Sequence, residues 1–336
     1  MNHLDRRDFL GLTLAAGAAT ALPAWARTSH RGIRPMADTY FDVVPVGDKD
    51  NAFAIIGEGG NSLLINDGDS SLLIDTKFGP FGDVLFDDTK KLGAGDNLTV
   101  LNTHHHGDHT GGNHAFRDKA EIFAHPNAFP RIEGNMDWFR GMSDDAVQQL
   151  KDMPADKREL AEASVMKYAE RIGQLESKAF EPTSQIIEPQ EFIACGSIEL
   201  ELYYMGDGHT DNDLIVLCRE LNFVHTGDFV FNGWNAFMDA NGGCDPRNWR
   251  NILRNIRQFG NDTTTFIPGH GPLGSRSMLD VQIKYIEDIF ESVGESVRDG
   301  ITREQVTETT YGFQQGLDAD WIRPIANGFI YDLLQE

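Results

Sequence analysis

Cysteine is the first scarcity in this 336-residue chain: only Cys195, Cys218 and Cys244 occur, an odd number at wide spacing with no CxxC pair. That excludes a disulfide framework and a thiolate-bound structural zinc, and leaves buried, unpaired thiols as the expectation. Positive charge is scarce as well. The 29 Lys and Arg face 52 Asp and Glu, for a net charge of −23. Such a surface repels phosphate backbones and anionic lipid, which argues against nucleic acid and membrane surfaces as partners and favours a small neutral or cationic molecule. No uninterrupted apolar run reaches the ~20 residues that a membrane-spanning helix needs, and no fixed period marks a solenoid or propeller. What is present is ordinary globular composition, 40 % hydrophobic and 10 % aromatic, enough for a sizeable core in one large domain or two.

The first segment, MNHLDRRDFLGLTLAAGAATALPAWA, resembles a twin-arginine export signal. Arg6 and Arg7 precede Phe9 and Leu10, a modestly apolar stretch follows, and Ala24-Trp25-Ala26 offers a small-x-small cleavage site. The expectations are a signal peptide over 1–26, a flexible leader over 27–38, and a periplasmic protein with no membrane attachment after cleavage. By that resemblance the chain crosses the membrane folded, which suits an enzyme that loads its metal before export.

Further along, FAIIG, NSLLIND, SSLLIDT and NLTVLNT are short apolar runs bounded by turn residues and read as strands, with NDGDSS as a hairpin connection. From Ser143 to about Lys178 the apolar residues recur at helical intervals, and Pro154 splits the stretch into two helices. Strands return at SIELELYYM, DLIVLC and NFVHTG. A helix opens at Asp245-Pro246, with Trp249, Ile252, Leu253, Ile256 and Phe259 on its apolar face and Gly260 as its stop. The strand TTTFIPGHG and a helix over 278–299 follow. Helices beside two strand-rich halves predict layers of helix, sheet, sheet and helix. We expect one domain over 39–275 with a helical insertion near 130–185, and a C-terminal helical extension over 276–336 packed on it.

The chemistry concentrates in LNTHHHGDHTGGN, residues 101–113. His104, His106, Asp108 and His109 form an H-x-H-x-D-H pattern directly after a strand. Side chains two apart on a strand end share a side, so His104 and His106 are expected to face one way and His105 the other. Gly107 would turn the chain so that Asp108 and His109 come round, and Gly111 and Gly112 would allow close packing beneath. Three more metal-capable residues stand at strand-to-loop junctions: His209 in GDGHTDND, Asp228 in VHTGDFVFNG and His270 in IPGHGP.

These motifs, in this order, resemble the metallo-β-lactamase superfamily over nearly the whole chain after the signal. The resemblance implies an α/β fold, the four-layer αββα sandwich. It implies one zinc on His104, His106 and His209, a second on Asp108, His109 and His270, and Asp228 bridging both, with Fe or Mn as other metals. Asp75 in LLIDT matches an early acidic position that supports the ligands from behind. The implied activity is hydrolysis of a carbonyl bond (ester, thioester, lactone or lactam) of a small molecule by a metal-bridging hydroxide, with Asp108 as the catalytic residue. Asp228 pulls the chain toward general hydrolases and away from β-lactamases proper, which use other residues at that point. A mononuclear iron persulfide dioxygenase, a β-lactamase proper and a non-catalytic metal-binding module are the alternatives.

The other histidines read as structural: His105 packing or hydrogen-bonding behind the site, and His114, His125 and His225 elsewhere, with His3 and His30 in the leader regions. Residues 129–142, with Phe129, Met136, Trp138 and Phe139, read as a loop-like stretch that either lines the substrate pocket or packs as a helix. Residues 231–243 follow Asp228 closely enough to place Trp234 and Phe237 at the rim.

Overall fold

A computed structural model describes residues 38–336; the export signal and the leader up to residue 37 lie outside the described residues. The first sheet has seven strands: β1 (Asp42–Pro45), β2 (Ala52–Ile56), β3 (Ser62–Asp67), β4 (Ser70–Ile74), β5 (Asn97–Leu101), β6 (Ala120–Ala124) and β7 (Ser184–Gln185), side by side in chain order. Strands β1 to β4 form an antiparallel meander, and β3 pairs with β4 through the tight turn expected at NDGDSS, where Gly68 has φ +61°. From β4 to β7 the pairing is parallel. Parallel neighbours need crossovers. Helices supply them: α1 (Gly82–Lys91), the short α2 (Gly107–Thr110) and α3 (Asn113–Phe116), then α4 (Ala128–Gly134), α5 (Met136–Asp152) and α6 (Ala155–Arg171).

The second sheet holds β8 (Gln190–Cys195), β9 (Ile198–Tyr204), β10 (Leu214–Cys218), β11 (Phe223–Phe231) and β12 (Thr265–His270), in the order β12-β11-β10-β9-β8. It is antiparallel except between β11 and β12, which are joined by α7 (Pro246–Ile256). The Asp245 side chain caps α7 by accepting from the amides of Arg247 and Asn248. This helix ends four residues before Gly260. Helices α8 (Ser277–Arg298), α9 (Arg303–Glu308) and α10 (Arg323–Leu333) complete the described chain.

Three apolar cores make the layering visible. Along β3 and β4 the side chains alternate: Leu63, Ile65, Leu72 and Ile74 enter a core between the two sheets, shared with Leu200, Leu214 and Val216. Leu64 and Leu73 point the other way, toward Phe81, Leu85, Phe116, Val165 and Tyr168 of the first helical layer. On the outer face of the second sheet, Val224 and Phe266 pack with Trp249, Ile252, Ile286 and Ile330. Both faces of each sheet are therefore covered, as the αββα reading requires.

One local expectation is refined. Residues 129–142 are helical, in α4 and the first part of α5, with the break at Asn135. Phe139 and Met142 sit one turn apart and both enter the core, so helix packing claims most of that stretch. Pro154 does separate two helices, α5 from α6. Cys195 and Cys218 are buried, Cys244 is partly so, and all three are free thiols.

Candidate metal centre

The expected residues arrive from five places on one edge of the sandwich. Asp75 follows β4, residues 102–110 follow β5, His209 lies in the loop after β9, Asp228 is within β11, and His270 ends β12. Strand β5 stops at Leu101, so His104 to His106 lie in a loop and strand alternation does not govern them. In β11 the register against β12 shifts on both sides of Gly227, whose φ is +50°. This bulge aims Asp228 into the site. Gly269 makes room for it, since a Cβ there would stand 1.8 Å from Asp228 Oδ1.

Hydrogen bonds behind the histidines fix which ring nitrogen faces inward. Asp75 is wholly buried; its Oδ1 accepts from the Thr103 amide at 2.8 Å, and its Oδ2 accepts from Thr103 Oγ1 at 2.8 Å and from His109 Nδ1 at 2.7 Å. Thr103 Oγ1 in turn lies 3.0 Å from His104 Nδ1 and accepts from it. His106 Nε2 donates to Asp239 at 2.9 Å, and His209 Nδ1 to the Phe237 carbonyl at 2.9 Å. The lone pairs of His104 Nε2, His106 Nδ1 and His209 Nε2 are thereby left pointing at one another, with His106 Nδ1 3.0 Å from the first and 3.1 Å from the last. Nitrogens bound tetrahedrally to one zinc stand about 3.3 Å apart.

A second group forms beside the first. Asp108 Oδ2 is 3.1 Å from His270 Nε2 and 3.6 Å from His109 Nε2. Asp228 stands between the groups: its Oδ2 is 3.5 Å from His209 Nε2, 3.8 Å from His104 Nε2 and 3.4 Å from His270 Nε2, and its Oδ1 is 3.2 Å from His109 Nε2. Despite that proximity, His109 Nε2 and Asp228 Oδ1 are buried with no hydrogen-bond partner. Orphaned buried polar atoms are costly. A cation among these side chains would satisfy them, so the residues fit a metal.

The electrostatics agree. Burial pushes His104 well below its ordinary pKa and His209 down to about 3, so both offer lone pairs at neutral pH. Burial opposes ionisation of Asp108, yet His109 and His270 hold its carboxyl down at about 2. Burial also opposes ionisation of Asp228, which His270 and His109 hold well below its usual range. Conversely, against the effect of burial, Asp228 and Asp108 raise His270 to about 9 and His109 well above its ordinary value. Ionised acids facing imidazoles that hold positive charge express a demand for cations, which bound metal meets by displacing protons.

Several contributors carry no sequence signal. Lys77 is fully buried, its amine donates to the carbonyls of Ile55 and Gly60, and burial lowers its pKa to about 7. It pins the turn whose Gly60 lies under His109, where a Cβ would meet the ring at 2.1 Å. Asp239 orients His106 and stands 3.7 Å from His105 Nε2. His105 bonds Asn212 through Nδ1 at 2.9 Å, but it also lines the cavity beside the site. Gly107 serves contact and not a turn: its backbone is helical, and a Cβ would lie 1.6 Å from the Trp138 ring. Gly111 and Gly112 do pack closely, against residues 76–82. Of the remaining histidines, His114 bonds the Gly79 carbonyl, His125 stacks on Tyr204, and His225, wholly buried, spans Asn61 and Gly227.

A cavity of about 720 Å³ opens beside His106 and Asp108. Trp138 and Phe237 line it, so each of the two segments 129–142 and 231–243 contributes to its wall. Trp234 sits against His270, ring centres 5.0 Å apart.

Fold and site together define a sandwich protein with a clustered His/Asp metal centre. A family model, the metallo-beta-lactamase superfamily, matches residues 55–270, and the chain belongs to that family. A twin-arginine translocation signal sequence matches residues 3–23, which points to export. The chain is 25 % identical over 85 residues to the metallo-beta-lactamase type 2 of Bacillus cereus, an alignment that takes in 25 % of this chain and 33 % of that protein. It thus spans about a third of the length of that curated relative. Among solved structures, the DIM-1 metallo-beta-lactamase exposed to ceftazidime aligns at TM-score 0.52 and 17 % identity, covering 74 % of this chain and 97 % of its own. A metallo-beta-lactamase from Pontibacter korlensis aligns at 0.53 and 16 %, covering 74 % and 99 %. At such identities the likeness is one of fold. No helix among the described residues is long and apolar enough to cross a membrane.

Proposed function

We propose that the mature protein is a periplasmic, zinc-dependent hydrolase that cleaves a carbonyl bond (ester, thioester, lactone or lactam) of a small molecule. Two zinc ions per chain would be held by His104, His106 and His209 and by Asp108, His109 and His270, with Asp228 shared between them. The observation that carries this reading is the pair of buried orphans, His109 Nε2 and Asp228 Oδ1, between two groups of converging donors. Divalent cations there would supply Lewis acidity and water of lowered pKa near neutral pH. The chain's own part is positional. Asp108 lines the cavity as an ionised carboxylate and would accept a hydrogen bond from the attacking water, aiming it at the substrate carbonyl. Trp138 and Phe237 would exclude bulk water from the reacting bond. A set of seven donors in two groups favours this reading over a single iron on two histidines and an aspartate.

The test uses mature, zinc-loaded protein and initial rates on an ester, a lactone, a thioester and a cephalosporin. At least one is expected to turn over, and Asp108→Ala is expected to lose on the order of 100-fold or more in kcat while its circular dichroism shows the fold retained. Unimpaired turnover by that variant would contradict the role given to Asp108.

A further inference from the structure

The cavity wall carries an unusual charge arrangement. Among the described residues one Lys or Arg lines it, Arg131 of α4. That guanidinium is committed: Nε donates to Asp211 Oδ1 at 2.8 Å, Nη2 to Asp211 Oδ2, and Nη1 to the Asn241 carbonyl. Asp211 is further tied to the same helix region, its carbonyl accepting from Asn127 Nδ2 at 3.0 Å. A bidentate pair of this kind cancels the charge of both partners. What remains at the wall beyond the ligands is the Asp239 carboxylate, the His105 ring, the aromatic faces of Trp138 and Phe237, and uncharged amides such as Asn241. The chain as a whole adds a field of the same sign, at −23.

We propose that Asp211 is a specificity-determining residue: by neutralising Arg131 it makes the cavity select substrates whose acyl portion is uncharged and partly apolar, and reject those carrying a carboxylate. This rests on the hydrolase reading for the reaction and on the cavity alone for the selectivity. Away from the metal ligands, a carboxylate on the acyl chain meets no uncommitted Lys or Arg among the described residues of the wall and faces the Asp239 carboxylate, whereas an alkyl chain lies against Trp138 and Phe237 at no electrostatic cost.

The decisive comparison is p-nitrophenyl butyrate against p-nitrophenyl hemisuccinate, which share leaving group and acyl length and differ by one charge. The wild-type protein is expected to favour the butyrate in kcat/KM by roughly tenfold or more. Asp211→Asn frees the Arg131 charge and is expected to shrink that ratio several-fold, chiefly through the KM of the hemisuccinate. Arg131→Gln breaks the same pair but leaves Asp211 exposed, and is expected to enlarge it. Opposite signs separate charge from scaffolding, because loss of a merely structural contact would move both variants in the same direction. A second readout needs no turnover: calorimetric binding of methyl 3-mercaptopropionate and 3-mercaptopropionate to the zinc-loaded protein, with the same ordering expected. Equal preference in the wild type, or ratios unmoved by both variants, overturns the proposal. Discrimination between the thiols without turnover of either ester leaves the selectivity standing and counts against the hydrolase reading.

Discussion

At the scale of single residues, Asp75 governs the orientation of more of the site than its distance from the cavity suggests. One carboxylate receives His109 Nδ1 directly and His104 through Thr103, so it decides which nitrogens of both rings face inward. Asp75→Asn keeps the size but offers an amide donor where His109 now donates. The ring is then expected to turn over its tautomer, and metal affinity of the Asp108, His109, His270 group to fall about 10- to 100-fold, measured by competition with a chelator at unchanged circular dichroism. The H-x-H-x-D-H spacing, GHT, TGD and PGHG make all seven donors legible, because ligands cluster with glycine at strand ends. Asp239, Arg131, Asp211 and Lys77 are not legible. Each acts through a partner more than a dozen residues away in sequence, and nothing in the composition around Asp239 or Arg131 distinguishes it from the other surface acids and bases.

A pH dependence also belongs to this scale. His114 donates from Nε2 to the Gly79 carbonyl and burial lowers its pKa to about 4; His225 is lowered likewise, to about 4. An unfolded histidine titrates near 6.5. Between those values the unfolded chain binds the proton and the folded one does not, so stability is full above about pH 6.5 and declines as pH falls toward 4. The loss per ring is on the order of 3 kcal/mol once the pH falls below both values. Denaturant titrations at pH 7 and pH 5 should show it, and His114→Gln, which keeps a donor for Gly79 but does not titrate, should flatten the slope. A variant as steep as the wild type would remove His114 from the account.

At the scale of elements, the site depends on close approaches that only glycine allows. Helix α2 can lie under Trp138 of α5 because residue 107 has no side chain. Gly107→Ala is expected to displace the indole, cost about 1–3 kcal/mol by overpacking and shift the tryptophan fluorescence. An alanine variant with native stability and emission would contradict the close contact. Sequence pattern reads the glycine readily, but its reason is tertiary: a turn is the local explanation, whereas the structure shows a contact with a helix some thirty residues on. Residues 129–142, left open between pocket wall and helix packing, are ambiguous for the opposite reason. Gly134, Asn135 and Gly141 suggest a loop, while Phe139, Met142, Ala146 and Leu150 keep the helical interval that buries one face of α5. Packing outweighs the local propensity of the glycines.

At the scale of the whole molecule, the four layers are legible because the two halves of the chain each alternate strands with amphipathic helices, and three separate cores follow. Pairing order is less so: β6, β7 and β8 are short or half-exposed strands whose patterns are weak. The acidic composition and the export signal belong to this scale too, and the signal points to export. The central claim is that this frame brings seven side chains together in order to hold two metal ions for hydrolysis. Elemental analysis of the mature protein, purified without added metal, tests it most directly when initial rates on the four substrates are taken from the same preparation. Two zinc ions per chain with turnover is the expected result. A single iron, or no bound metal, in protein that hydrolyses none of them would contradict it.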